Sequence, residues 1–351
     1  MSYISKPRVP YAGIKRNKLG LTIRDYEGGM STLCAGCGHD SITAALVQAF
    51  FELEVAPHQV AKLSGIGCSS KTPAYFLDGA HGLNAVHGRM PAIATGANAA
   101  NRNLYYVGVS GDGDSLSIGI GQFAHAIRRN INMLYIIENN GVYGLTKGQF
   151  SASADIGSTA KKGEQNPNLP IDPVVLALSV GATYVARSFS GDKDQLIPIL
   201  KGGLMHQGFA LIDVISPCMT FNDHAGSTKS YAHTREHIHE TVRSDFVPPA
   251  EAIEIEYQKG SVTPVRLHDG SHILLRKVAP EFSAGSRSET ISYIEKHQAK
   301  GEIVTGLLFL DEGSGDLHET SDTTEQPLCA IEYDSLCPGE SGLEDIYRIY
   351  R

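Results

Sequence analysis

Gly111-Asp112-Gly113-Asp114 places two carboxylates among glycines directly after an apolar, β-forming run, Tyr105–Ser110. Glycine has no Cβ, so the backbone can approach a ligand closely. The sequence predicts a helix over Ser115–Arg129, with Leu116, Ile120, Phe123 and Ile127 on one face. Its first turn would offer free N–H groups and the positive end of a dipole, which suits a phosphate. Asp112 and Asp114 would repel a bare phosphate, so the pairing makes sense with a divalent cation in between. Asn140 follows Asp112 by 28 residues, just past a second apolar run, Met133–Ile137. Its amide oxygen could reach the same ion, and oxygen ligands at strand ends favour Mg2+. A Gly-x-Gly-x-x-Ala match at Gly119, Gly121 and Ala124 falls inside the predicted helix and is discarded as a dinucleotide signal.

Four cysteines form a second constellation: Cys34, Cys37, Cys68 and Cys218. Cys34-x-x-Cys37 alone fits zinc, an iron–sulfur centre or a redox dithiol. Cys68 and Cys218 follow predicted strands whose tips should face that pair. Four thiolates suit zinc or an iron–sulfur cluster, and spacing does not choose between them. Cys329 and Cys337 lie in the tail and read as unligated. Residues 224–239 hold four histidines, and His233 and His237 have helical ligand spacing. A solvated helix is the simpler account of that segment.

The elements that must position these residues alternate. A helix Ser41–Glu54 with Asp40 as its N-cap, a strand Val60–Leu63, a helix Ala92–Asn101 and the strands around Asp112 and Asn140 come first. Helix Val174–Val180, strand Ala182–Ala186, helix Lys193–His206 and strand Phe209–Ile215 follow. Residues 151–170 read as a long surface loop. Beyond lie a hairpin (Val262–Leu267, a turn at His268-Asp269-Gly270, Ser271–Lys277), a helix Glu289–Lys300 capped by Gly301, and a strand Ile303–Leu310. The alternation predicts an α/β fold, a doubly wound, mostly parallel sheet with a C-terminal extension. The expected division is an arm over 1–30, a main domain over 31–222 and an extension over 223–351.

With 351 residues, 42% of them hydrophobic, the chain can bury a large core. A net charge of −8 argues against nucleic acid as the main partner. No apolar run is long enough for a bilayer span, and residues 1–16 lack a signal-peptide core. The expectation is a cytoplasmic protein whose few cysteines serve as ligands.

Gly-Asp-Gly followed by Asn-Asn resembles the thiamine diphosphate motif, which implies Mg2+ on Asp112, Asn140 and the carbonyl of Val142. The wider pattern resembles the thiamine-binding β subunits of the 2-oxoacid:ferredoxin oxidoreductases. Cys-x-x-Cys-Gly-His, Gly-Ile-Gly-Cys-Ser, His-Gly-Arg, Gly-Asp-Gly-Asp and Asn-Asn-Gly-Val-Tyr-Gly-Leu-Thr-Lys-Gly-Gln stand in the family's order between Leu33 and Phe221. The fold implied is of the thiamine diphosphate-binding type.

By that resemblance Cys34, Cys37, Cys68 and Cys218 bind one [4Fe–4S] cluster. Gly36, Cys37, Gly67, Cys68, Ser69, His87, Gly111, Asp112, Gly113, Asp114, Asn140, Val142, Gly144, Leu145 and Thr146 surround the cofactor. Lys147 faces the oxoacid carboxylate, and Lys71 lines the space between cofactor and cluster. The reaction implied joins a 2-oxoacid, coenzyme A and oxidised ferredoxin to give acyl-CoA, CO2 and reduced ferredoxin. Ser-Phe-Ser-Gly-Asp-Lys and Phe-Asn-Asp-His-Ala-Gly-Ser-Thr-Lys-Ser look most like the 2-oxoglutarate branch, whose product is succinyl-CoA. Phe150-Ser151-Ala152 departs from the family's Lys-Gly-Gln-x-Ser-Pro segment, so pyruvate or a broad range of oxoacids stays open. No Glu between Leu33 and Phe221 matches the residue that activates thiamine. The resemblance therefore implies a larger α subunit that supplies this Glu, and an (αβ)2 assembly. Two rival readings are a non-redox thiamine-dependent decarboxylase or lyase and a non-catalytic metal-binding subunit.

Overall fold

Strand β1 (Val60–Ser64) is buried at all five positions, as suits a strand covered on both faces. The computed structural model describes residue 6 and residues 13–160, 163–247, 262–267, 270–277, 279, 282–337 and 339–350. Parallel neighbours of β1 are β2 (His81–Asn84) on one side and β3 (Tyr105–Gly111) on the other. The parallel set continues through β4 (Met133–Asn139), β8 (Phe209–Ile215) and β7 (Tyr184–Phe189). β12 (Ile303–Leu310) then pairs antiparallel with β7 and parallel with β9 (Ile238–Val247). The hairpin β10 (Val262–Arg266) and β11 (His272–Lys277) closes that edge against β9. These ten strands form one continuous sheet. A separate hairpin pairs β5 (Val142–Tyr143) with β6 (Gln149–Phe150).

Helix α1 (Gly38–Glu52) packs along α5 (Lys193–Met205). A second row runs α2 (Met90–Ala100), α3 (Ile120–Arg128), α4 (Pro173–Ser179) and α7 (Arg287–Gln298). Phe123 of α3, Tyr135 of β4 and Phe209 of β8 form a buried aromatic cluster with centroids 5.1–6.0 Å apart. Such pairs add about 0.5–1.5 kcal/mol each beyond burial. Tyr135 also bonds Ser115 at 2.8 Å, which ties the turn after Asp112 to the sheet. Shorter helices are α6 (Tyr231–His237), α8 (Leu317–Thr320) and α9 (Tyr333–Leu336), and α10 (Gly339–Tyr350) ends the chain. Among the described residues no helix is long and apolar enough to cross a membrane.

Several expectations need correction. The helix after Asp112 is broken: a π-helical turn, Gly113–Ile118, precedes α3, and Gly119 separates them. Gly119 is held tight there, since a Cβ on it would lie 2.7 Å from the Asp114 carbonyl. α1 starts three residues earlier than Asp40 suggests, at Gly38 rather than Ser41, with Cys37 as its N-cap and Asp40 inside the first turn. Residues 151–170 are not simply a surface loop, because Ser151, Ser153, Ala154, Ser158 and Asn166 are buried. The histidine-rich segment is helical only over α6 and then becomes β9. The hairpin lies where expected, but His268 and Asp269 of its turn fall outside the described residues, as do residues 1–5 and 7–12 of the expected arm.

Candidate functional site

The parallel register brings four strand ends to one edge. Ser64 of β1 pairs with Val109, Gly111 of β3 with Glu138, and Asn139 of β4 with Ile215 of β8. Cys68, Asp112, Asn140 and Cys218 each follow one of these ends within four residues. In doubly wound sheets this edge is where ligands bind.

Asp112 is 1% exposed, and its two oxygens are used unequally. Oδ2 accepts from the Gly141 N–H at 2.9 Å, from Ser153 Oγ at 2.6 Å and from Ser151 Oγ. Among the described residues Oδ1 has only the Asn140 N–H, at 3.5 Å. A buried carboxylate oxygen with so little compensation is costly unless a cation faces it. Asn140, also buried, accepts the Val142 N–H on Oδ1 at 3.0 Å, and its carbonyl is held by Asn222 at 2.7 Å. The donor set therefore fits a hard divalent cation held by Asp112 and Asn140, with the Val142 carbonyl on the adjoining turn.

Asp114 serves a different purpose. Its Oδ1 accepts from Ile66 N–H at 3.1 Å and Gly88 N–H at 2.7 Å, and its Oδ2 from Ser110 at 2.7 Å. His87 Nδ1 stands 2.5 Å from Oδ1. One buried carboxylate thus ties the loops after β1, after β2 and after β3 together. Gly65 is required beside it, since a Cβ there would lie 1.8 Å from Oδ2. His87 also stacks edge-on with Tyr143, whose hydroxyl donates to the Gly113 carbonyl at 3.1 Å.

The thiols gather at the same edge. A Cβ on Gly144 would lie 3.5 Å from Cys68 Sγ and 3.6 Å from Cys218 Sγ. Thr220 Oγ1 lies 3.4 Å from Cys34 Sγ. Burial pushes the Cys37 thiol up to about 12, and Glu138 and Cys218 add to the rise. Burial likewise raises Cys68, with Cys218 and Cys34 contributing, while Lys71 works the other way. Cys218 is raised by burial and then by Cys34, against the N–H groups of Phe221, Thr220 and Asn222. Mutually repelling thiolates become stable only around a cationic centre. Cys329 and Cys337 are exposed in the tail.

Behind the thiols, Glu138 is fully buried and accepts Thr72 Oγ1 at 3.0 Å. Burial raises its carboxyl well above the ordinary range. His39, 3.4 Å from it and bonded to Ser216 at 2.6 Å, is pushed down to about 4 by burial. In both groups burial disfavours the charged form. Around the opening, Lys147 is exposed on a strained backbone (φ 79°), followed by Gly148 at φ 97°. A left-handed lysine is uncommon and marks a turn fixed by its surroundings. Thr146 bonds Gln149 at 2.7 Å, and Leu145 is half exposed. Gly36 (φ 77°) and Gly67 (φ 139°) shape the two cysteine loops, while Ser69 packs against Gly111.

Ser151, Ser153 and Glu138 carry no motif that separates them from ordinary loop or strand residues, and His39, though it ends the Cys-x-x-Cys-Gly-His run, gives no sign there of its partners. Their roles emerge only from distances.

Comparison with known proteins gives a consistent result. Residues 65–214 match the family model described as thiamine pyrophosphate enzyme, C-terminal TPP binding domain. The chain is 43% identical over 205 residues to the 2-oxoacid:ferredoxin oxidoreductase subunit beta of Saccharolobus solfataricus, covering 58% of this chain and 65% of that one. It is 38% identical over 191 residues to the 2-oxoglutarate synthase subunit KorB of Methanocaldococcus jannaschii, covering 54% and 69%. It thus spans less than two thirds of the Saccharolobus relative and somewhat more of the Methanocaldococcus one. Among solved structures, the 2-oxoglutarate:ferredoxin oxidoreductase from Magnetococcus marinus with 2-oxoglutarate, coenzyme A and succinyl-CoA bound superposes with a TM-score of 0.70. That match has 28% identity and covers 88% of this chain and 90% of that chain.

Proposed function

The chain belongs to the family of 2-oxoacid:ferredoxin oxidoreductase β subunits, and on that premise we propose that it is the subunit that binds Mg2+–thiamine diphosphate and one [4Fe–4S] cluster. With a larger α subunit it oxidatively decarboxylates 2-oxoglutarate, using coenzyme A and ferredoxin, to succinyl-CoA, CO2 and reduced ferredoxin. The observation that carries this reading is the convergence of Cys68, Asp112, Asn140 and Cys218 beyond adjacent parallel strands.

When bound, thiamine diphosphate supplies the carbanion chemistry of decarboxylation and the cluster takes up electrons singly. The chain's residues position and protect. Asp112, Asn140 and Val142 hold Mg2+, and the glycine turn Gly111–Gly113 admits the diphosphate. Leu145 and Thr146 lie against the diphosphate, with His87 near it. Cys34, Cys37, Cys68 and Cys218 hold the cluster. Lys147 meets the oxoacid carboxylate, and Lys71 lowers the cost of negative charge between cofactor and cluster. The spread of the thiols supports a cluster over zinc. Sulfurs on one zinc ion stand roughly 3.8 Å apart, from a bond of about 2.3 Å, and no three of these thiols come within 4.8 Å of one another among the described residues.

Ile66, Val86, Leu145 and Met219 expose apolar surface around the opening. They give a partner subunit a dry wall to close against. Glu138 cannot be the thiamine activator, because it faces Thr72 and His39 inside the domain. The activating Glu comes from the partner, in an (αβ)2 assembly. The reading places the complex in the cytoplasm, where the free thiols stay reduced.

Anaerobic purification of the complex with thiamine, magnesium, iron and sulfide analysis tests this. The reading expects thiamine diphosphate and roughly four irons per chain. A complex that holds zinc on the four cysteines, or no thiamine diphosphate with Mg2+ in excess, overturns it.

A further inference from the structure

We propose that His239, His297 and Glu302 form a second metal site, for a divalent cation of the zinc type, in the C-terminal part of the chain. His239 lies at the start of β9, His297 in the last turn of α7, and Glu302 just before β12. One ligand atom from each lies within 4.8 Å of the other two, the one such trio of His, Cys, Asp or Glu among the described residues. Two imidazole nitrogens with one carboxylate oxygen are the donors of open zinc sites. Mg2+ and Ca2+ prefer oxygen alone.

The surroundings bring the three side chains together. The two imidazole rings stack with centroids 4.3 Å apart, so one ring turns on binding to bring both in-plane lone pairs to one ion. His297 Nδ1 contacts Glu302 Oε2 directly. His239 Nε2 meets the Tyr293 hydroxyl at 2.8 Å, which leaves its Nδ1 to face a metal. Ligating histidines are oriented in this way, by a polar partner on the nitrogen away from the metal. A cation would take the place of the direct His297–Glu302 contact.

The position gives the site a structural task. Glu302 lies on the wall of a cavity of about 410 Å3 that Asn139 and Ser153 line on another side. Gln298, next to His297, bonds Asp172 at 2.5 Å, and Asp172 pairs with Arg187. Arg187 reaches Asp213 at 2.7 Å, and Asp213 accepts from Asn139 at 3.0 Å. A metal on β9, α7 and the turn before β12 would fasten the outer layer to this buried chain, which ends beside Asn140.

The test uses the complex with its cluster intact and Zn2+ or Co2+ as the probe. The expected result is one equivalent of Zn2+ per chain beyond any iron, with a rise in Tm. Co2+ should show visible ligand-field bands without a sulfur charge-transfer band. His239→Gln and Glu302→Gln, both at partly exposed positions, should weaken binding about tenfold or more, and Cys329→Ser, at an exposed thiol in the tail, should leave it unchanged. Circular dichroism confirms that each variant is folded. A wild-type complex that binds no additional Zn2+, equal binding by folded His239→Gln and Glu302→Gln, or a Co2+ spectrum dominated by thiolate would overturn the proposal.

Discussion

Ser153 Oγ lies 2.6 Å from Oδ2 of Asp112 and also 2.9 Å from Oδ1 of Asn139. This hydroxyl, with Ser151 and the Gly141 N–H, occupies one oxygen of Asp112 and leaves the other with only the long Asn140 N–H contact among the described residues. The loop that supplies both serines is thereby part of the candidate metal site rather than a cover over it.

Asp112→Ala and Asn140→Ala should each weaken Mg2+-dependent thiamine diphosphate binding by about 1–3 kcal/mol, as for loss of a charge-assisted contact. Ser153→Ala should cost less, about 1 kcal/mol, because Ser151 and Gly141 still hold Oδ2. Calorimetric titration of the cofactor at fixed Mg2+ measures all three. Wild-type affinity in Asp112→Ala would show that the cation binds elsewhere.

Cys218→Ser should lose the cluster, while Cys329→Ser and Cys337→Ser should keep it, since the last two thiols are exposed in the tail. Iron and sulfide analysis with a visible spectrum separates the cases. Equal iron in all three variants contradicts the ligand assignment.

Lys147→Ala should raise KM for the oxoacid and leave thiamine diphosphate affinity unchanged, with partial recovery in Lys147→Arg. Loss of one charge-assisted contact is worth about 1.5–3 kcal/mol. An unchanged KM in steady-state kinetics would remove Lys147 from the substrate site.

Lys62 donates to the carbonyls of Pro73, Phe76 and Leu77 at 2.6–2.8 Å, which pins the segment after Cys68 and Lys71. Burial pushes its amine down to about 8, from an ordinary value of 10.5. The folded pKa is depressed, so between these values the unfolded chain binds more protons and stability rises with pH. The full cost of the buried charge, about 3 kcal/mol, is present below pH 8. Lys62→Met removes that cost but leaves three carbonyls without a donor, at about 1–3 kcal/mol for each group left unsatisfied. The variant should be less stable at pH 7, and its deficit should grow toward pH 10. Urea melts at both pH values check this, and an identical pH slope in variant and wild type contradicts it.

The strand ends that carry Cys68, Asp112, Asn140 and Cys218 were legible because apolar runs stop at residues whose chemistry has no place in a core. Ser151 and Ser153 were not, because a polar stretch with glycine reads as solvated whether or not its hydroxyls turn inward. β2 was illegible for the opposite reason: all four of its residues are exposed, so no apolar pattern marks it. β9 was hidden by its histidines and charges, which suit an exposed helix equally well. Lys62 and Glu138 sit singly in apolar strands, and their partners come from distant segments that only the folded chain brings near.

The most direct test of the central claim is acceptor reduction by defined assemblies under anaerobic conditions. The isolated chain should bind its cofactors yet reduce neither ferredoxin nor methyl viologen when given 2-oxoglutarate and coenzyme A. Coexpression with the α subunit should give reduction that depends on both substrates and disappears in Asp112→Ala. Full turnover by this chain alone, or none from a complex loaded with thiamine diphosphate and cluster, would contradict the account.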